Sequence, residues 1–338
     1  MKIAFFETED REKNYISSKL NKEEISFFLE PLDSENLEKA KDFNIISIFV
    51  YSKITKEVLA KLPNLKLIAT RSTGFDHIDL LDAKEKKINV CNVPFYGENT
   101  VAEHTFALIL DLSRKIYLSL ERTKKGDFSL DGLRGFDLKG KTLGIVGMGH
   151  IGMHVARMAK GFEMNVISYD LKRDTQLPKK IGFEYVSFED LLKNSDIITL
   201  HVPYNKNTHH LINSENISLI KKGSYLINTS RGGLIETTAL LKALSEEILA
   251  GVGLDVLEEE FFIKEEAQLL SKEFSKIYDL KTALQNNILL RQDNVIITPH
   301  NAFNSQEAVQ RILDTTVENI KSFLKNKPII HLHPILQL

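Results

Sequence analysis

Three polar side chains follow consecutive predicted strands in the second half of the chain. Arg231 lies on a glycine-rich turn after one strand, Asp255 begins an acidic stretch after the next, and His300 follows the last. Because ligands of an open α/β sheet bind beyond the carboxyl ends of its strands, we expect these side chains to converge at one edge. Alone, each residue would be interpreted as structural or solvated; their joint placement favours a catalytic site.

This combination suits the reduction of a carbonyl group that lies next to a carboxylate. Arg231 can form a bidentate pair with the carboxylate and help to polarise the carbonyl. His300 can donate the proton that a developing alkoxide needs, and can accept it in the reverse direction. A carboxylate beside the histidine would favour the imidazolium and fix its ring. Glu258, Glu259 and Glu260 are all candidates for that carboxylate, and the residues alone do not choose between them.

The hydride donor is indicated by a glycine-rich turn. Gly147, Gly149 and Gly152 have the G-x-G-x-x-G spacing, follow an apolar run and begin a helical segment, so that a helix N-terminus would face a pyrophosphate. Asp170 closes the next strand, 18 residues after Gly152, where it would bind ribose hydroxyls and repel a 2′-phosphate. The pattern predicts NAD rather than NADP. The alternative is a strand–turn–helix with a surface aspartate and no ligand.

Short apolar runs alternate with segments of helical period along the chain, which predicts parallel sheets covered on both faces. The fold class is therefore α/β, with two doubly wound parallel-sheet domains, a flavodoxin-like domain and a Rossmann domain. Predicted helices include 100–124, an insertion within 258–293 and a last helix over 305–325. The predicted strands are 3–6, 25–29, 45–50, 65–70, 88–93, 143–146, 165–169, 197–201, 225–228, 251–254 and 295–297.

Composition excludes several classes of protein. The 338 residues suffice for about two domains. The 44 basic and 46 acidic residues leave a net charge of −2, without the excess of positive charge typical of nucleic-acid binding. A single cysteine, Cys91, excludes an intrachain disulfide and a cysteine-based metal cluster, and no apolar run approaches the ~18 residues of a membrane span. We expect a cytoplasmic protein without a metal, membrane or nucleic-acid partner.

The motifs together resemble the NAD-dependent D-isomer-specific 2-hydroxyacid dehydrogenases, and within that family they are most similar to the D-lactate dehydrogenase branch. The resemblance covers nearly the whole chain. It rests on six segments in order: RSTGFDHID at 71–79, VAEHT at 101–105, the glycine turn at 147–152, HVP at 201–203, NTSRG at 228–232 and GLDV at 253–256.

By this resemblance the catalytic set is Arg231, Glu260 and His300, since the family's acid lies five residues after the Asp of its Leu-Asp motif. The resemblance also implies the substrate-binding residues: the backbone N–H groups of Thr73 and Gly74 for the carboxylate, Arg231, and Tyr96 and Phe303 around the pocket. The implied dinucleotide contacts are Gly147, Gly149, His150, Ile151, Gly152, Asp170, Val202, Pro203, Thr208, Thr229, Ser230, Arg231 and Asp255.

The resemblance further implies a discontinuous substrate domain, residues 1–98 with 302–338, around an NAD-binding domain at 99–301. It implies a homodimer built on the helix after Tyr96. The predicted reaction is the reduction of pyruvate to D-lactate by NADH. The alternatives are another 2-oxoacid (hydroxypyruvate, glyoxylate, a branched or an aromatic one) or a non-enzymatic NAD(H)-sensing interaction protein. The other histidines, among them His104 and His210, are expected to be structural or surface residues.

Overall fold

Apolar strands and amphipathic helices alternate along the chain and build two separate parallel sheets. The chain forms two units, Met1–Tyr96 with Ser305–Leu338 and Gly97–Asn304. The predicted α/β class with two doubly wound sheets is confirmed. The residues described by the computed structural model are 1–34, 36–258 and 280–329.

Within the described part of the first unit, five strands form one parallel sheet: β1 (Lys2–Phe5), β2 (Glu24–Phe27), β3 (Ile45–Ile48), β4 (Leu67–Thr70) and β5 (Asn89–Cys91). Their order is β2-β1-β3-β4-β5, which is the flavodoxin-like order. The helices between them are α1 (Asp10–Lys19), α2 (Lys56–Ala60) and α3 (Leu80–Glu85). Thr55 and Asp79 cap the starts of α2 and α3 by accepting from backbone N–H groups in the first turn.

The second unit has a larger parallel sheet. Its described strands are β6 (Thr142–Val146), β7 (Asn165–Tyr169), β8 (Glu184–Tyr185), β9 (Ile197–Leu200), β10 (Ser224–Asn228), β11 (Leu249–Leu254) and β12 (Val295–Ile297). Their order is β12-β11-β10-β9-β6-β7-β8. The order reverses between β6 and β9, which is the point where a Rossmann sheet binds a dinucleotide.

The described helices of the second unit pack around this sheet. They are α4 (Glu98–Arg114), α5 (Ile116–Lys124), α6 (His150–Gly161), α7 (Leu177–Ile181), α8 (Phe188–Asn194), α9 (Thr237–Ser245) and α10 (Leu280–Leu290). A last helix, α11 (Gln306–Leu324), follows in the first unit, and Ser305 caps it by accepting from the Ala308 backbone N–H at 3.1 Å. No helix within the described ranges is long and apolar enough to cross a membrane.

α11 completes the core of the first unit. Leu313 and Val317 on this helix pack in one buried cluster with Ile3 and Phe5 of β1. The Tyr15 hydroxyl of α1 donates to the carboxylate of Asp314 on α11. The other face of the same sheet has its own buried cluster, so both faces are covered, as a parallel sheet requires.

The observed elements differ from the predicted ones at two places. The single helix predicted over 100–124 is two helices, because Lys115 between them adopts left-handed backbone angles, φ 50° and ψ 44°. The break is stabilised by Asp111, whose carboxylate accepts from the Tyr117 backbone N–H at 2.7 Å. The two-residue strand β8 was not predicted, because so short a run has no detectable alternation.

Candidate active site

The glycine turn joins β6 to α6 in the second unit. Gly147 has φ +96°, and a Cβ there would lie 2.5 Å from the carbonyl oxygen of His201. Both the backbone angle and the close contact therefore exclude a side chain at this position. A Cβ on Gly152 would lie 2.1 Å from the Gly147 carbonyl oxygen, which allows the first turn of α6 to approach the strand. A Cβ on Gly149 would meet nothing within 4 Å, so the space in front of the helix start is open. This geometry fits a pyrophosphate at a helix N-terminus.

Asp170 lies immediately after β7, beside this turn. Its Oδ2 accepts from the Met148 backbone N–H and its Oδ1 from the Lys172 backbone N–H, both at 2.7 Å. The nearby Arg173 guanidinium donates to the Val186 carbonyl at 2.9 Å. The carboxylate is therefore held in a fixed orientation where the ribose of NAD would lie.

Most of the other predicted dinucleotide residues of the second unit lie on loops after β9 and β10, and two lie at the start of α6. Thr208 donates to the Pro203 carbonyl at 2.7 Å, which closes the loop that begins with Val202. The Ser230 hydroxyl donates to the carbonyl of Leu200 at 2.7 Å. The Thr229 and Thr105 hydroxyls lie 3.0 Å apart, and at the start of α6 His150 Nδ1 lies 3.3 Å from Glu98 Oε1. Ile151 is in the first turn of α6.

Arg231 follows β10 on a turn that is fixed by side-chain hydrogen bonds. The Asn228 Nδ2 donates to the Arg231 carbonyl at 2.8 Å, and the Asn228 Oδ1 accepts from the Ser230 backbone N–H at 3.0 Å. The Arg231 Nη1 donates to the Ser230 carbonyl at 2.9 Å. Asn228 is completely buried, so the turn is attached to the end of the sheet.

His300 lies after β12 on a loop that Asp255 holds. The His300 backbone N–H donates to the Asp255 carbonyl at 2.8 Å, and His300 has φ +52°, a strained value for a residue with a side chain. The Asp255 carboxylate accepts from the Thr298 hydroxyl at 2.5 Å and from the backbone N–H groups of Asn301 and Ala302, each at 2.9 Å. These bonds support the strained conformation on both sides of the histidine.

The environment of Asp255 includes His104, whose contacts the sequence did not predict. Burial raises the pKa of the Asp255 carboxyl, against the opposing effect of the Thr298 hydroxyl and of His104. His104 Nε2 lies 3.0 Å from the Thr298 Oγ1 and 3.5 Å from Asp255 Oδ1. Only its helical position in α4 is visible in the sequence, since Thr298 is 194 residues away.

These residues come from neighbouring strands. β10 pairs with β11 and β11 with β12, all parallel, so the loops that carry Arg231, Asp255 and His300 leave the sheet at three adjacent carboxyl ends. Phe303 follows on the His300 loop and is half-buried. Glu260 lies outside the described residues, as does Glu259, so the choice of acid partner stays a prediction.

The predicted carboxylate-binding loop lies after β4 in the first unit. The Thr73 hydroxyl donates to the Val93 carbonyl at 2.9 Å, and the Ser72 hydroxyl donates to the Gly74 carbonyl at 2.6 Å. Neither the Thr73 nor the Gly74 backbone N–H donates to another residue within the ranges that the structure describes. Tyr96 is half-buried.

The chain is similar to known proteins in both sequence and structure. The family model described as "D-isomer specific 2-hydroxyacid dehydrogenase, NAD binding domain" matches residues 106–302. A Zymomonas mobilis protein named 2-hydroxyacid dehydrogenase homolog is 39% identical over 334 residues, covering 95% of this chain and 96% of that protein. A glyoxylate reductase from Thermococcus litoralis is 38% identical over 298 residues, covering 86% of this chain and 83% of that protein.

Solved structures agree with the sequence relatives. D-lactate dehydrogenase from Aquifex aeolicus, complexed with NAD and lactic acid, is 41% identical with a TM-score of 0.85, covering 96% of both chains. The pyruvate reductase of Chlamydomonas reinhardtii is 35% identical with a TM-score of 0.86, covering 98% of both chains. Because the family model spans more than half of the chain and full-length relatives share more than a third of its residues, the chain belongs to the NAD-dependent D-isomer-specific 2-hydroxyacid dehydrogenases.

Proposed function

We propose that the protein reduces pyruvate to D-lactate with NADH. The observation that carries the proposal is the placement of Arg231, Asp255 and His300 on three adjacent strand ends of the NAD-binding sheet. The similarity to a D-lactate dehydrogenase structure that contains NAD and lactic acid supports the choice of substrate.

In this proposal each polar residue has a separate task. NADH supplies the hydride when it is bound. Arg231 pairs with the carboxylate of the oxoacid and polarises the neighbouring carbonyl. The His300 ring donates a proton to the carbonyl oxygen as negative charge develops there, and takes a proton from the hydroxyl in the reverse direction. One pyruvate, one NADH and one proton thus give one D-lactate and one NAD⁺.

Further roles are proposed on the resemblance and on the geometry of each unit. Glu260 is the proposed acid partner of His300. The open backbone N–H groups of Thr73 and Gly74 are suited to bind a carboxylate oxygen, and Tyr96 is proposed to shape the pocket. The substrate domain is proposed to comprise residues 1–98 with 302–338, and the NAD-binding domain residues 99–301.

The dinucleotide is proposed to bind along the second unit's sheet. Its pyrophosphate would meet the start of α6, and Asp170 would accept from its ribose hydroxyls. The open space at Gly149 and the fixed carboxylate of Asp170 fit this role. The cytoplasm is the proposed place of action.

Glyoxylate is the second candidate substrate, because a relative of 38% identity is named a glyoxylate reductase. The chemistry at Arg231 and His300 would be the same, and the difference would lie in the side chains that contact the substituent of the oxoacid. Values of kcat/KM for pyruvate, glyoxylate, hydroxypyruvate and phenylpyruvate, measured by loss of NADH absorbance, decide between them. A value for glyoxylate tenfold above that for pyruvate would refute the proposed substrate.

Stereochemistry and mechanism have their own tests. In the reverse direction D-lactate should reduce NAD⁺, whereas L-lactate should not. Replacing His300 with Ala should lower kcat by about 10²- to 10⁴-fold, which is the usual contribution of general acid–base catalysis. A His300→Ala enzyme with normal turnover would exclude His300 as the proton donor.

The second unit also presents a surface suited to a homodimer. Apolar side chains on α5 and the loop after it are exposed: Ile116, Tyr117, Leu120, Phe128 and Leu130, with exposed fractions from 52% to 82%. Exposed apolar groups in such number are typical of an interface. Sedimentation should give a dimer for the wild type, and Leu120→Glu should shift it toward a monomer. A monomeric wild type would refute the proposed dimer.

A further inference from the structure

Glu258 lies where the chain leaves β11, two residues before Glu260, and it is held by both side chain and backbone. Its Oε1 lies 2.5 Å from His210 Nε2. Its Oε2 accepts from the Thr237 hydroxyl at 2.7 Å and from the Thr237 backbone N–H at 3.2 Å. Its carbonyl accepts from Asn286 Nδ2 at 2.8 Å. The end of the β11 loop, the chain from Asp255 to Glu258, is therefore held by three residues: His210, Thr237 and Asn286.

The same stretch of chain lies against the turn that carries Arg231. A Cβ on Gly232 would lie 2.0 Å from the carbonyl carbon of Leu257, so the two backbones are in direct contact. The His210 backbone N–H donates to the Gly233 carbonyl at 2.8 Å. His210 thus holds the turn through its backbone and Glu258 through its ring.

Glu258 also supplies a negative charge to the start of α9. The N-cap residue of this helix, Glu236, makes no side-chain capping bond, because its carboxylate accepts from the backbone N–H and hydroxyl of Ser214. Glu258 contacts the first helical residue, Thr237, instead, where an anion stabilises the helix dipole. Loss of the Glu258 charge would loosen the helix start, His210 and the end of the β11 loop together.

We propose that Glu258 and His210 form a positioning pair that holds the Arg231 turn against the chain at Leu257 and Glu258. This inference rests on the proposed function, because Arg231 is the oxoacid-binding residue of that function. Neither member of the pair is a catalytic residue: both carboxylate oxygens of Glu258 are already engaged by His210 and Thr237.

The test compares two substitutions of His210 with one substitution of the neighbouring residue His209. His210→Phe removes the ring nitrogens, whereas His210→Gln keeps a side-chain donor. His209→Phe is the matched control, because the His209 ring stacks on His210 with 3.8 Å between centroids but bonds to the Tyr204 hydroxyl and not to Glu258. For each variant kcat, KM for pyruvate, Kd for NADH and the unfolding temperature are measured.

We expect His210→Phe to raise KM for pyruvate and to lower kcat/KM by about 10- to 100-fold, the effect of a small displacement of a substrate-binding group. The Kd for NADH should stay within twofold. His210→Gln should recover most of the loss, and His209→Phe should behave as wild type. If His210→Phe lowers kcat and the unfolding temperature but leaves KM unchanged, its role is structural and the inference is wrong.

A double-mutant cycle adds an independent test. If the two residues act as one pair, Glu258→Gln combined with His210→Phe should lose no more kcat/KM than the more damaging single substitution. Losses that multiply would overturn the pairing. A wild type that reduces no oxoacid would refute the proposed function and this inference together. An active wild type with an inactive His300→Ala and a normal His210→Phe would refute the inference alone.

Discussion

Replacing Asp255 would test how the loop around His300 is held in its strained conformation. The Asp255 side chain is completely buried and accepts from the backbone N–H groups of Asn301 and Ala302 and from the Thr298 hydroxyl. Asp255→Ala leaves the two amides without this acceptor. A buried unsatisfied donor costs about 1–3 kcal/mol, so the two together cost about 2–6 kcal/mol. Because burial raises the pKa of Asp255, desolvation offsets part of this stabilisation, and we expect the lower half of that range.

Asp255→Asn should cost less. One oxygen of the amide can still accept from Thr298 and Asn301, while its NH₂ group faces the Ala302 N–H, so one bond is lost and the cost is about 1–3 kcal/mol. Because the lost bond holds the residue two positions after His300, we expect kcat to fall by about 10- to 100-fold as well.

Urea unfolding and steady-state kinetics measure the two effects. Asp196→Asn is the matched control: this carboxylate accepts from the Thr142 backbone N–H at 2.8 Å and from Lys221 Nζ at 2.8 Å, at the amino ends of strands in the same sheet and thus away from the His300 loop. The control should lose stability and keep its kcat. The reasoning is refuted if the unfolding free energy of Asp255→Ala lies within about 0.5 kcal/mol of the wild-type value, or if Asp255→Asn keeps the wild-type kcat.

Three further outcomes are expected. Burial raises the pKa of the Cys91 thiol to about 12, so a disulfide reagent at pH 8 should label the unfolded protein but not the native one; rapid native labelling would contradict this. Burial lowers the pKa of His201 to about 3 from 6.5. Between these two values the unfolded protein binds a proton at His201 that the folded protein does not, so the unfolding free energy is highest above pH 6.5 and falls as the pH drops toward 3. Between pH 6.5 and 5 the wild type should lose about 2 kcal/mol more unfolding free energy than His201→Gln, and equal losses would exclude a neutral buried His201. Arg71 is 2% exposed, and its Nη2 donates to the Phe6 and Glu7 carbonyls at 2.7 Å each. Arg71→Met leaves the Glu7 carbonyl without this donor, whereas the Phe6 carbonyl still accepts from the Thr8 hydroxyl, so the substitution should cost about 1–3 kcal/mol in urea unfolding. A cost below about 0.5 kcal/mol would show that these bonds contribute little.

The sequence is most informative where local rules decide the structure. The glycine spacing at Gly147, Gly149 and Gly152 predicts a turn between a strand and a helix, and that turn is present: Gly147 and Gly152 have no room for a side chain, and the space at Gly149 is open. The alternation of apolar runs predicts the parallel sheets for a similar reason, since strands buried on both faces are apolar throughout.

Other features depend on partners that are distant in the chain. His210 was expected to be a structural or surface residue, yet its ring partner Glu258 is 48 positions away. The same is true of His104 and Thr298. The helix break at Lys115 has no glycine or proline signal, because its left-handed angles are stabilised by neighbouring contacts and not by residue type.

The return of α11 to the first unit has a consequence for the order in which the protein folds during synthesis. Ile3 and Phe5 are made early, but Leu313 and Val317, which cover them, come some 300 positions later. At about 5–20 residues per second, the ribosome needs roughly 15–60 s to add that length. During this time the apolar face of β1 has no cover from α11, whereas the second unit is continuous in sequence and can complete its sheet first. The first unit therefore completes its core only after the second unit has been synthesised.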